Sequence, residues 1–334
     1  VHAIEKYGHD PKYPVTDNWP HLVRQLAQFA TQRRKESGGE AVWLVGHSLG
    51  GILSLMCAAR HPELARGVVM LDSPVLSGWR AGAVRMVKRT PLMRRLSPSA
   101  VARRRRNEWD DRQAVYQHFR GKKVFAAWDP QVLRDYVDHG TIDAEGTWQL
   151  AFDPEVESRI YETLPHNLGP LLRKHPLQCP VVFVGGIESV EMRQVGGLDA
   201  TAEVAQGRVT MIEGTHLIPM ERPLATAAAI EAHIRAMATA STASPGTPGG
   251  ARALGNAVLV RALAGVAHHQ HAARLQRDTP RAAAGMGAHQ HVARRAQRDD
   301  GDRPARHQLG LAVAVRRHAV APVAVQVQAH VRVG

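Results

Sequence analysis

Ala41-Val42-Trp43-Leu44-Val45-Gly46-His47-Ser48-Leu49-Gly50-Gly51-Ile52-Leu53-Ser54-Leu55-Met56 is the stretch that decides how this chain is read. Its first five residues are an unbroken apolar run, the pattern of a strand buried on both faces. Residues 52–60 have the composition of a helix. Between them, Gly46-x-Ser48-x-Gly50 puts a serine on a sharp strand-to-helix turn. Such a turn forces the serine into strained backbone geometry and leaves room only for small residues two positions away, and both are glycine here. A helix that opens at Leu49 aims its first amides at the serine. The Leu49 N–H can therefore donate to an oxyanion developing beside Ser48.

Working outward, strands and helices alternate. Residues 1–4 read as a strand. Thr16 or Asp17 can cap a helix over about residues 19–35, with Leu22, Leu26 and Phe29 on one face. Residues 67–71 form a buried strand that ends at Asp72-Ser73-Pro74, and residues 181–184 form another, closed by Gly185-Gly186. A helix is expected within 190–206, a strand at 209–212 and a helix at 224–240. This alternation predicts an α/β fold, a mostly parallel sheet flanked by helices and joined by right-handed crossovers. Residues 77–175 show helical periodicity without strand alternation. They are expected to be a helical cap over the carboxyl ends of the strands, where ligands bind. The core would then comprise residues 1–76 and 176–240.

The sequence Gly46-His47-Ser48-Leu49-Gly50-Gly51 and the segment Val209-Thr210-Met211-Ile212-Glu213-Gly214-Thr215-His216 resemble the α/β-hydrolase superfamily, in its lipase- and esterase-like form. The resemblance covers residues 1–240 and implies the chain order nucleophile, acid, histidine. It makes Ser48 the nucleophile and His216 the base that takes its proton and returns it to the leaving group. The acid is open. Asp72 occupies one position where lipases of this fold carry it, and Glu188 lies after the strand where the acid is more usual; Glu191 is a further possibility. Either of the first two carboxylates would serve if it reached the ring, because its task is to fix the tautomer and stabilise the imidazolium.

The resemblance also implies strands ahead of Val1 and a second oxyanion donor from a loop among them. The chain reads as lacking both, leaving about five parallel strands with an exposed edge. Loss of one oxyanion donor typically costs about 10²–10³ in rate, so weak activity is expected.

The chain has 334 residues and a formal charge of +13, which suggests an anionic partner until the charge is located. Residues 241–334 hold thirteen Arg and four Asp with no Lys or Glu, leaving only +4 for the first 240 residues. Beyond the Ser/Thr/Pro/Gly linker at 241–250, residues 251–334 contain no Phe, Trp, Tyr, Ile, Lys, Glu or Cys. Such a stretch has little to offset its ordering entropy and is expected to be a disordered or non-native tail, of the composition that out-of-frame translation of GC-rich DNA supplies. The H-x-H pairs among His268, His269, His271, His289 and His291 read as solvated, so no metal or other cofactor is expected.

Residues 77–107 carry ten Arg or Lys and no acid. They are expected to be a solvated lid that pairs with nearby carboxylates, with a surface that steers anionic substrates as the alternative. Trp79, Trp109, Trp128 and Trp148 are expected to pack the cap. Cys57 and Cys179 have neither disulfide nor metal spacing. No apolar run reaches the length of a membrane span and no leader is visible, so a cytoplasmic protein is expected. The implied function is hydrolysis of a small-molecule carboxylic ester through an acyl-enzyme. Acyl transfer on the same scaffold is an alternative, and a basic nucleic-acid- or anionic-membrane-binding protein is an alternative of another class; nucleic acid is not an expected partner. Oligomeric state is not encoded in any of these features.

Overall fold

The structure is a computed structural model and describes residues 1–76, 98–242 and 257–260. In chain order, β1 (His2–Ala3) leads through a loop to α1 (Pro20–Glu36), β2 (Val42–His47), α2 (Leu49–Arg60) and β3 (Ala65–Leu71). The inserted region follows as α3 (Pro98–Arg103), β4 (Glu108–Trp109), α4 (Arg112–Arg120), α5 (Lys123–Ala126), α6 (Pro130–Gly140), β5 (Thr141–Ala144), β6 (Thr147–Leu150), α7 (Pro154–Glu162) and α8 (Leu168–Lys174). The chain then returns through β7 (Val181–Gly186), α9 (Val190–Gln194), α10 (Asp199–Val204), β8 (Val209–Ile212), α11 (Ile218–Glu221), α12 (Pro223–Thr242) and β9 (Ala257–Val260).

The main sheet runs β1-β9-β2-β3-β7-β8, with every described pairing parallel. Successive side chains point to opposite faces, so each apolar strand feeds two cores. Val42, Leu44, Val68, Met70, Val181 and Phe183 pack with Leu22 and Leu26 of α1 and Leu53 and Met56 of α2. Trp43, Val45, Val69, Leu71, Val182 and Val184 pack on the other face with Ile234 and Met237 of α12. Helices on both faces leave the carboxyl ends of β2, β3, β7 and β8 as the place where the chain must turn outward, and those ends carry the site.

Several details depart from the sequence reading. Among the described residues the sheet has six strands rather than about five, because Ala257–Val260, within the stretch read as a disordered tail, forms β9 between β1 and β2. The remainder of that tail, including its histidine pairs, lies outside the described residues. The inserted region is not purely helical: β4, β6 and β5 form a small antiparallel sheet. Neither Thr16 nor Asp17 caps α1. Its N-cap is Trp19, in left-handed backbone at φ +56°, with Pro20 opening the helix. The helix expected within 190–206 is broken into α9 and α10, with Gly196 and Gly197 between them at φ +102° and +96°.

The inserted region has an apolar centre of its own, built from Trp109, Phe119, Phe125, Trp128, Val132 and Tyr136. Leu217, next to His216, is fully buried in that cluster. The Asp129 amide also donates to the Met220 carbonyl at 2.8 Å. The cap therefore rests directly on the segment that follows His216. Trp79 lies outside the described residues. Trp109 and Trp128 pack the cap as expected, and so does the half-buried Trp148, which lies against the same cluster with the Arg112 guanidinium 4.5 Å from its ring centre.

Candidate active site

Ser48 directly follows β2 and makes the turn into α2, at φ +54° and ψ −120°. A non-glycine residue seldom adopts this conformation, and it persists where the surroundings over-determine it. Two features do so here. The Ser48 amide donates to the Leu71 carbonyl at 2.9 Å, extending the β2–β3 ladder past the end of the strand. Gly46 lies so close to the first turn of α2 that a Cβ there would sit 2.2 Å from the Gly50 carbonyl. Leu49 is the first residue of α2, and first-turn amides have no partner within their own helix.

Asp72 follows β3 directly, as Ser48 follows β2. It too has positive φ, +39°, and is fully buried. Its amide donates to the Val184 carbonyl at 2.8 Å, so β7 holds its backbone. The β7 end also solvates its carboxylate. Oδ2 accepts from the Gly186 amide at 2.7 Å and Oδ1 from the Ser189 hydroxyl at 2.7 Å. Ser189 in turn caps α9, accepting from the Met192 amide at 3.2 Å.

His216 lies on the loop after β8 and is 3% exposed. Its Nδ1–H donates to Asp72 Oδ1 at 2.8 Å, and its Nε2 accepts from the Ser48 hydroxyl at 3.0 Å. Two side chains hold its backbone. The His47 Nε2–H donates to the His216 carbonyl at 2.7 Å, and the two rings lie 4.8 Å apart. The buried carboxylate of Glu221 accepts from the Thr215 amide at 2.7 Å and the Thr215 hydroxyl at 2.6 Å.

These contacts set the charges. Burial works to raise the Asp72 carboxyl, but the hydrogen bond and charge of His216, with the bonds from Gly186 and Ser189, hold it below the usual carboxylate range. Burial works to lower the His216 imidazole. The Asp72 hydrogen bond, then the charges of Glu191, Asp72 and Glu221, raise it above its ordinary value. The arrangement favours a carboxylate paired with an imidazolium, which is the charge state formed once a serine proton has moved to the ring.

Of the residues singled out in the sequence, Ser48, His216 and Asp72 are therefore in contact, and Leu49 is beside them. Glu188 is not part of this set. It is exposed, on the outward turn after β7, with its amide bonded to the Gly214 carbonyl at 2.9 Å. Between the two carboxylates left open by the sequence, only Asp72 reaches the ring. Glu191 is buried but makes no hydrogen bond to His216. Sequence reasoning missed Ser189, Gly186, His47 and Glu221. Ser189 alone had a local signal, as a serine three residues before the amide it caps.

The basic stretch at 103–106 is largely spent within the cap. Arg103 pairs with Glu155 and Glu162, both at 2.9 Å. Arg105 pairs with Glu157 at 3.0 Å, and both side chains are buried. Within the basic stretch 77–107, Arg103 and Arg105 thus pair with carboxylates as expected, although Arg105 is not solvated; residues 77–97 lie outside the described residues. Both cysteines are free; burial pushes Cys57 to about 12 and Cys179 to about 11. Among the described residues no three His, Cys, Asp or Glu side chains converge as a metal-binding set, and no helix is long and apolar enough to cross a membrane.

A strained serine closing a central strand of a parallel sheet is the mark of an α/β-hydrolase. The chain belongs to that class: residues 1–230 match the alpha/beta hydrolase family. Human monoglyceride lipase is 30% identical over 80 residues, a match covering 23% of this chain and 26% of the human protein. The fold is shared with E-2-(acetamidomethylene)succinate hydrolase, at TM-score 0.52 and 21% identity, covering 69% of this chain and 78% of that one. It is also shared with the peroxisomal α/β-hydrolase Lpx1 of Saccharomyces cerevisiae, at TM-score 0.54 and 14% identity, covering 79% and 70%.

Proposed function

We propose that this protein hydrolyses small carboxylic esters through an acyl-enzyme, with Ser48 as nucleophile, His216 as general base and then acid, and Asp72 as the acid that orients the ring. The observation that carries this reading is the unbroken relay from Ser48 Oγ through His216 to Asp72, at 3.0 and 2.8 Å. As Ser48 attacks the carbonyl carbon, its proton passes to His216 Nε2. Asp72 stabilises the imidazolium, and the first-turn amide of Leu49 donates to the developing oxyanion. His216 then protonates the departing alcohol. Water, deprotonated by the same ring, releases the acid and restores Ser48. The likeness to a monoglyceride lipase supports an ester as the bond broken. Two unpaired thiols fit a reducing compartment such as the cytoplasm.

The test is pre-steady-state hydrolysis of p-nitrophenyl butanoate. We expect a burst of nitrophenol, and a fall of about 10⁴-fold or more in turnover for Ser48→Ala with the circular dichroism unchanged. Release no faster than in buffer, or a Ser48→Ala variant as fast as the parent, would defeat this reading.

A further inference from the structure

Two helix ends meet at a cavity remote from Ser48. α2 starts beside Ser48 and has twelve residues, so its last residue, Arg60, lies about 18 Å further along the axis. α8, the last helix of the inserted region, packs against α2 and ends at Lys174. Both helices stop in the same way. The final residue is a cation and the C-cap is a histidine, His61 after Arg60 and His175 after Lys174. The histidine amides close the last turns on the Cys57 and Leu171 carbonyls, each at 2.8 Å. The four basic side chains line one cavity of about 610 Å³, and Asn167 adds an amide to it. Pro170 and Leu171 supply an apolar wall.

Among the described residues, no carboxylate lines this cavity. Glu63 lies 3.8 Å from His61 Nδ1, but it is 55% exposed and outside the lining. Arg60, Lys174 and His175 make no ion pair and no side-chain hydrogen bond among the described residues. Arg103 and Arg105, by contrast, are spent on carboxylates. Asn167 Oδ1 is also without a hydrogen-bond partner. A cation at a helix C-terminus complements the helix dipole. That role accounts for Arg60 and Lys174 one at a time, as it does for Arg34 in the last turn of α1. It does not require two such ends to converge on a cavity, nor a histidine beside each.

We propose that this cavity binds a small organic phosphate monoester. Arg60 and Lys174 take the phosphate oxygens, His61 and His175 donate ring N–H groups to the same anion, and the carbon portion lies on Pro170 and Leu171. The guanidinium fork matches phosphate with two parallel bonds, and a lysine ammonium serves phosphate as a point charge. A phosphate monoester carries a charge of about −2 near neutral pH and has three terminal oxygens for these donors. A carboxylate, with one charge and two oxygens, matches the set less well. The cavity falls in the range of small-molecule sites, about 300–1,000 Å³, which leaves room for an organic part beside the phosphate. The site lies at the far end of α2 from Ser48, and the proposal does not depend on the ester reading.

The experiment is isothermal titration calorimetry of the full chain with phenyl phosphate and with glycerol 3-phosphate, using benzoate and inorganic phosphate for comparison. At least one of the two monoesters should bind with a Kd of about 1 mM or tighter, and about tenfold or more tightly than benzoate or inorganic phosphate. Arg60→Gln and Lys174→Gln should each weaken that binding about tenfold or more, and leave turnover of p-nitrophenyl butanoate unchanged. Arg34→Gln, which takes a cation from the end of a different helix, should leave the Kd as it was. The bound monoester should also raise the Tm of the parent and not that of the Arg60→Gln/Lys174→Gln double variant. Neither heat nor a rise in Tm with about 20 mM of either monoester overturns the site, and this arm does not depend on any variant folding. Equal weakening by Arg34→Gln overturns it as well, since the attraction would then belong to net charge. Inorganic phosphate or benzoate binding as tightly as both monoesters overturns the assigned ligand. So does capture by phosphatidic acid vesicles with no binding of either soluble monoester, which would give the basic helix ends to a lipid surface.

Discussion

The sheet buries Val, Leu and Met side chains on both faces and keeps its polar chemistry to the strand ends, where Ser48, Asp72 and His216 meet. The cap is arranged differently. It carries an ion pair inside, Arg105 against Glu157 at 3.0 Å, and its apolar centre is a set of rings, Phe119, Phe125, Trp128 and Tyr136, with centroids 4.6–5.8 Å apart. The difference is one of what holds position. In the sheet, backbone ladders fix where each strand ends, so a polar side chain can be devoted to chemistry. In the cap the elements are short, and a few side chains must supply the cohesion that ladders supply elsewhere.

If that contrast holds, changing a polar group at a strand end should cost rate, and changing one inside the cap should cost stability. The largest effect is expected from Asp72→Asn, a loss of about 10⁴-fold in kcat/KM with little change in fold, read by steady-state kinetics and circular dichroism. The same variant sharpens the electrostatics. His216 is raised above its ordinary value, so the ring holds its proton, and cannot accept another from Ser48, until the pH passes that raised value. The acid limb of kcat/KM should therefore have its midpoint above 6.5 in the parent. In Asp72→Asn, where burial is opposed by less, it should move to lower pH.

On the cap side, Glu157→Ala should cost about 3–5 kcal/mol in urea unfolding, because it leaves the buried Arg105 charge unpaired. Replacing the pair together by Met and Leu should be neutral to within about 1 kcal/mol, or stabilising. The smallest effect is expected for Arg103→Ala. Its partners are also carboxylates, but its side chain is 33% exposed and Glu155 is 53% exposed, so the loss should be under about 1 kcal/mol by the same measurement. A cap that tolerated Glu157→Ala while Arg103→Ala unfolded it would reverse the comparison.

What the sequence made legible follows the same division. The unbroken apolar runs at β2, β3 and β7 reveal themselves because a strand buried on both faces needs nothing else. Gly46-x-Ser48-x-Gly50 is legible because its steric demand is local. The choice between Asp72 and Glu188 was not, since both follow a strand and only the register of β3 beside β7 decides which carboxylate faces the ring. The antiparallel sheet of the cap escaped because β5 and β6 have four residues each and β4 has two, too few to display alternation. Glu221 and His47 escaped for a related reason. Their work is to hold the backbone around His216, and no side-chain pattern announces it. The Gly196-Gly197 break was in plain view, but its effect on the helix expected there was not drawn from the sequence.

The two hydrogen bonds that join Ser48 to His216 and His216 to Asp72 close over 168 and 144 residues of chain. Contacts that far apart in sequence are won late in folding, after the entropy of bringing distant segments together has been met. Each parallel crossover can assemble on neighbours alone, yet none of them contains the complete relay. On the role proposed for Ser48, reactivity is thus withheld from any partly folded form, because the serine after β2 has no imidazole beside it until the segment after β8 has docked beneath the cap.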